Sequence, residues 1–162
     1  MVDSAVASGR VLRAGATDMR IPFKDGFMFG NPIHPPGLRL AGSRCAECGV
    51  VLWGVRRRCE NCSSVQVSEE AFEPGGTVYT FTVQRYAPPK PHALPEFWTP
   101  RPVAWIDLDR NGPRVLAPVD CPADAMAIGM RVRLECGVGY VDEQGREVIV
   151  YKFVPERAEA MQ

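Results

Sequence analysis

Four of the six cysteines fall in CAECGVVLWGVRRRCENC, residues 45–62, as two CxxC pairs with ten residues between them. A CxxC pair lets two sulfurs converge on one ion from a tight turn, and Gly49 directly after Cys48 suits the chain reversal. Zinc takes four such ligands as a tetrahedron, with Zn–S near ~2.3 Å. The intervening residues are long enough for a short hairpin that carries the second pair to the first. Cys45, Cys48, Cys59 and Cys62 are therefore expected to hold one metal in a zinc ribbon. Iron in a rubredoxin-like site is the chemical rival, because the same four thiolates bind it. A catalytic zinc keeps one coordination position open for water, whereas four thiolates close the shell. The expected role is structural, with the ion contributing folding free energy.

Arg56, Arg57 and Arg58 stand immediately before the second pair. Two readings are open: they offset the net negative charge of a four-thiolate zinc centre, or they clamp phosphate on a nucleotide-like ligand. Cys136 falls among apolar residues of a strand pattern and reads as a small core residue. Cys121 precedes Pro122 at an expected helix start, with no base in view to activate it. The two histidines, His34 and His92, sit in proline-rich segments without a neighbouring nucleophile or orienting carboxylate. No GxSxG, Walker loop or GxGxxG occurs. Asp107 and Asp109 are two apart and are expected to border a turn. No catalytic residue is expected in this chain, which reads as a partner or binding subunit.

The formal charge is zero, 19 basic against 19 acidic residues, which disfavours nucleic acid as a partner. Apolar residues make up 46% and charged residues 23%, a composition that supports a real core. The first fifteen residues lack an apolar run of signal-peptide length, and no stretch approaches the roughly 20 apolar residues that span a bilayer. A cytoplasmic location follows, where thiols stay reduced and paired CxxC units mean metal rather than disulfide.

These residues need elements to hold them. Residues 1–37 are rich in Gly and Pro and read as a loop-rich N-terminal arm. Residues 38–70 hold the ribbon, and 71–156 change to short strands with turn signals between them. GTVYTFTVQRYA alternates, with Val78, Thr80 and Thr82 expected on one side and Tyr79, Phe81 and Val83 on the other. The proline-dense PPKPHALPEFWTPRP, 88–102, is a long loop of the kind that carries function. PVAWIDLD, RVLAPVD, RVRLECGVGYV and EVIVYKFVP read as four further strands, with NGP at 111–113 and DEQGR at 142–146 as turns. Val132, Leu134, Cys136, Val138 and Tyr140 are expected on one face of the fourth strand. CPADAMAIGM reads as a short helix from Pro122 to Gly129. The expected fold is mainly β: an N-terminal rubredoxin-like zinc ribbon followed by a five-stranded OB-fold barrel, with a β-sandwich as the alternative.

The order of these pieces carries a resemblance. A CxxC-x10-CxxC ribbon, then PGGTVYTFTV, PVAWIDLD and APVDCPADAMAIGMRVRLECG, resembles the zinc-ribbon/OB-fold family of acyl-CoA-associated proteins over about residues 38–155. Members are small subunits or fused domains that accompany thiolases, thiolase-like aldolases and acyl-CoA hydratases, and the benzoylsuccinyl-CoA thiolase type has a small subunit of this build. The resemblance implies structural zinc on the four ribbon cysteines and a thiolase-like catalytic subunit in a hetero-oligomer. It implies acyl-CoA as the ligand of that complex, with Arg56, Arg57 and Arg58 as candidate CoA phosphate contacts. Phe97 and Trp98, exposed among prolines, become candidate partner contacts, against the alternative that they cap the barrel. A module binding single-stranded nucleic acid is the competing class.

Overall fold

The computed structural model describes residues 9–15, 17–31, 37–87 and 99–156. The chain divides into two units, Met1–Ala71 with Cys136–Val150, and Phe72–Glu135 with Tyr151–Gln162.

In the first unit the described part of the Gly- and Pro-rich lead-in forms three short strands: β1 (Arg10–Val11), β2 (Arg20–Pro22) and β3 (Met28–Gly30). The ribbon adds β4 (Arg39–Cys45), β5 (Val51–Trp53) and β6 (Val67–Ala71). These strands order as β1-β3-β4-β5, with β6 antiparallel to β4. β4 is the spine, because Gly42, Ser43 and Arg44 pair with β5 and also with β6. Ser43 is fully buried there, and its hydroxyl accepts the Arg56 N–H at 2.8 Å. Phe27 meets Phe23 and Trp53 edge to face, at 6.1 and 5.0 Å between ring centres. A small core of Leu12, Met28, Leu38 and Ile149 packs with Phe23 and Cys136.

The second unit contains β7 (Gly75–Gln84), β8 (Arg101–Leu108) and β9 (Arg114–Pro118). It also holds the first residues of β10 (Arg131–Val141) and the last of β11 (Glu147–Pro155). The order is β10-β7-β8-β9, all antiparallel. A parallel bridge from Val119 to Phe153, with the Asp120 N–H donating to the Phe153 carbonyl at 2.8 Å, joins the third strand's end to the fifth. That closure gives the OB-fold barrel. Val78, Ala104, Ile106, Val115, Val132 and Phe153 are buried inside it.

Four local expectations are corrected. Val78 pairs with Ile106 and Thr80 with Trp105, so Tyr79 is the extra residue of a β-bulge. One extra residue reverses the parity of a strand. Phe81 therefore opposes buried Ala104, and Val83 opposes Pro102, on the same side as Val78. The expected helix after Cys121 shrinks to a single 3-10 turn, Ala123–Ala125. Met126 is already extended, and backbone bonds run from Val78 N to Met130 O and from Gly129 N to Val78 O (2.9 and 2.8 Å). Those amides serve the bulged strand instead of a helix. In the hairpin between β8 and β9, Arg110 and Asn111 hold the left-handed pair (φ 52° and 58°), one residue earlier than the Asn-Gly step expected. Gly112 is needed for another reason: a Cβ there would stand 2.7 Å from the Leu108 Cβ. On β10 the apolar face is also cut short, since Val132 and Leu134 are buried while Val138 and Tyr140 are exposed.

The Pro-Gly-Gly entry to β7 is a close-approach device. A Cβ on Gly75 would meet Asp109 Oδ2 at 2.4 Å, and one on Gly76 would meet Ile106 Cγ2 at 2.6 Å and the Asp107 carbonyl oxygen at 2.9 Å. Because that last neighbour is backbone, Gly76→Ala is expected to destabilise the second unit by about 2 kcal/mol. Gly137, where a Cβ would meet nothing within 4 Å, is the control. Gly137→Ala is expected to stay within about 0.5 kcal/mol of the parent in urea unfolding.

Candidate metal centre

The two cysteine pairs are built alike. β4 ends on Cys45, whose N–H donates to the Val50 carbonyl at 3.0 Å, while the Gly49 N–H donates back to the Cys45 carbonyl at 3.0 Å. In the second turn the Cys59 N–H donates to Ser64 O at 2.8 Å, and Ser63 N–H to Cys59 O at 3.0 Å. The residue after each second cysteine is left-handed, Gly49 at φ 72° and Ser63 at φ 61°. The sequence announces the first through its glycine and conceals the second behind a serine.

The two turns face one another. Cys45 Sγ lies 3.6 Å from Cys62 Sγ, Cys48 Sγ lies 3.6 Å from Cys59 Sγ, and all four sulfurs fall within 4.8 Å of one another. Thiolates about 2.3 Å from a central ion stand about 3.8 Å apart in a regular tetrahedron, so the four positions fit such an ion. Cys45 and Cys59 are buried, and Cys48 and Cys62 are exposed.

The electrostatics point the same way. The Asn61 side chain, then the Val50 backbone, pull the Cys48 thiol down to about 6. The Ser64 N–H pulls on Cys62, but desolvation and the Cys45, Cys48 and Cys59 thiols outweigh it and push that group up to about 12. Four crowded thiols cannot all ionise without a cation to compensate them.

The three arginines separate. Arg56 pairs with Glu60 at 2.6 Å and lies 5.5 Å from the Phe27 ring centre, and Arg58 donates to the Ser63 carbonyl at 2.6 Å. Both brace the ribbon, while Arg57 is exposed.

The two β8-end carboxylates are held in ion pairs. Asp107 receives Arg114 at 2.6 and 3.0 Å, and Asp109 receives Arg131 at 2.7 Å on each oxygen. Those guanidiniums hold both carboxyls below their ordinary range. Burial raises the Cys121 thiol, the opposite of activation, and pushes Cys136 in the first unit's core up to about 12. His34, His92, Phe97 and Trp98 lie outside the described residues. One feature escaped sequence reasoning. Trp105 points outward from β8, and its signal was present in PVAWIDLD, where it alternates with the buried Ala104 and Ile106.

Residues 69–136 match the family model described as ChsH2, C-terminal OB-fold domain. Relatives from Pyrococcus furiosus and Methanocaldococcus jannaschii, both described as DUF35 domain-containing scaffold proteins, are each 34% identical to this chain. The matches take in 72% of this chain, and 83% and 81% of the respective relatives. A solved structure described as Ltp2-ChsH2(DUF35) aldolase superposes with a TM-score of 0.53 at 27% identity, covering 72% of this chain and 84% of that one.

Purified protein is expected to be colourless with one zinc per chain by elemental analysis; a red preparation with visible absorbance would identify iron instead. Removing the zinc with a chelator, or making Cys59→Ser, is expected to unfold the ribbon, read as loss of amide protection over 39–71. At the two left-handed positions the signs are opposite. Gly49→Ala, with open space around its Cβ, is expected to cost about 1 kcal/mol from φ alone, whereas Ser63→Gly is expected to gain up to that amount.

Proposed function

The chain belongs to the DUF35 domain-containing scaffold proteins, and on that premise we propose that it is a non-catalytic accessory subunit of a thiolase-type CoA-thioester enzyme. The partner subunit carries the reacting residues, and this chain docks on it. Zinc in the four-thiolate centre holds the ribbon in shape and takes no part in the reaction. The observation that carries this reading is the 34% identity to two scaffold proteins over most of their length. It agrees with the local chemistry, in which Asp107, Asp109 and Cys136 are each spent on ion pairs or packing.

Arg57, exposed between two braced arginines, is the ribbon cation left to meet a CoA phosphate in the assembled enzyme. Phe97 and Trp98 remain proposed partner contacts. The cytoplasm is the compartment that keeps six free thiols reduced. It agrees with the absence, among the described residues, of a helix long and apolar enough to cross a membrane.

A second reading has its own support. The description of the structural neighbour names an aldolase, which favours a partner that cleaves a carbon–carbon bond without consuming free CoA.

One reconstitution separates the two. The catalytic chain that co-purifies with this protein is assayed alone and with it, with and without free CoA. CoA-dependent cleavage that needs this chain is the expected result. Cleavage that needs this chain but no CoA selects the aldolase reading. Activity indifferent to this chain rejects both.

A further inference from the structure

The outward face of β7, β8 and β9 brings together three of the second unit's exposed large side chains, Tyr79, Trp105 and Leu116. Thr80, Trp105 and Leu116 stand directly opposite one another across the three strands. Trp105 and Leu116 are each 44% exposed, and Tyr79, lifted by the bulge, is 52% exposed. Among the described residues the Trp105 side chain has no hydrogen-bond or ring partner, so its indole N–H is free to donate.

The charged pair beside Trp105 is already neutralised, while Arg101 stands exposed at the far end of the same face of β8. Asp107 grips the Arg114 guanidinium through two hydrogen bonds, and that guanidinium lies 3.3 Å from the Tyr79 ring centre. Arg114 and Tyr79 are therefore held in place before anything binds, which lowers the ordering cost of using them in an interface. Trp, Tyr and Arg are the side chains that most often dominate interface energies. A phosphate backbone or an acidic peptide finds no free cation in this pair. The surface complementary to the centre of this face is apolar, with a carbonyl to accept from Trp105. All of these residues lie within 69–136, the stretch matched by the family's OB-fold model.

We propose that this face, centred on Trp105 with Leu116, Tyr79 and Arg114, is where the catalytic partner subunit seats an apolar patch. The proposal rests on the scaffold reading above.

The test uses the full chain and the purified catalytic chain that co-purifies with it. Trp105→Ala is expected to weaken their association by about 30-fold or more. Leu116→Glu, which adds an unpaired charge at the centre, is expected to abolish it. Thermal midpoint and zinc content should stay at parent values, because both side chains are outside the core. If the parent chain fails to bind the catalytic chain, the scaffold reading itself falls. If the parent binds and both variants bind equally well, only the assignment of this face falls. Two other results overturn it: a parent homodimer that Leu116→Glu converts to monomer, which assigns the face to a second copy, or salt-sensitive oligonucleotide binding lost in Trp105→Ala.

Discussion

Convergence of four thiolates on one point is the constraint on which the ribbon depends. Each cysteine pair presents two sulfurs only because its chain reverses through a left-handed residue, Gly49 in one turn and Ser63 in the other. Each reversal is held by the same two backbone hydrogen bonds, from the first cysteine's N–H and back to its carbonyl. The strands between the turns are short, and β5 has only three residues. So little sheet cannot by itself offset the entropy of ordering the segment. An ion held by the four sulfurs would supply the missing free energy.

The barrel solves a different problem. β7 must enter against β8 closely enough that Gly76 cannot carry a side chain, and it must then turn Val78 and Phe81 to the same side. Strict alternation forbids that spacing, and the bulge at Tyr79 permits it. The same residue gains an outward position, where Arg114 lies across its ring and Asp107 fixes Arg114 from the next strand. A device that fills the core thus also orders the surface, and an aromatic face follows from a packing requirement.

The ion pairs account for the acidic residues at the end of β8. Asp107 and Asp109 share the β8 end, yet each has its own arginine, brought from β9 and β10 respectively. A carboxylate held below its ordinary range by a bidentate guanidinium is a poor proton acceptor. The arginine-rich lead into the second cysteine pair is divided the same way, with Arg56 and Arg58 turned onto the ribbon and Arg57 left in solvent.

Much of this was legible in the residues alone. Cysteine spacing identifies the metal-binding turns, because two CxxC pairs ten apart have few other uses inside a reducing compartment. Strand and turn residues give five barrel strands in order, because alternation and Gly/Pro punctuation act locally. What the sequence could not reveal depends on partners distant in the chain. The bulge at Tyr79 exists because Ile106 and Trp105 fix the register, and the lost helix exists because Val78 claims the amide of Gly129. Ser63 is left-handed in a turn held by the same backbone bonds as the one at Gly49, a likeness that its residue type does not announce. Spacing determined the ligands; only tertiary pairing decided which side of each strand faced the core, and so which aromatic rings were left to meet a partner.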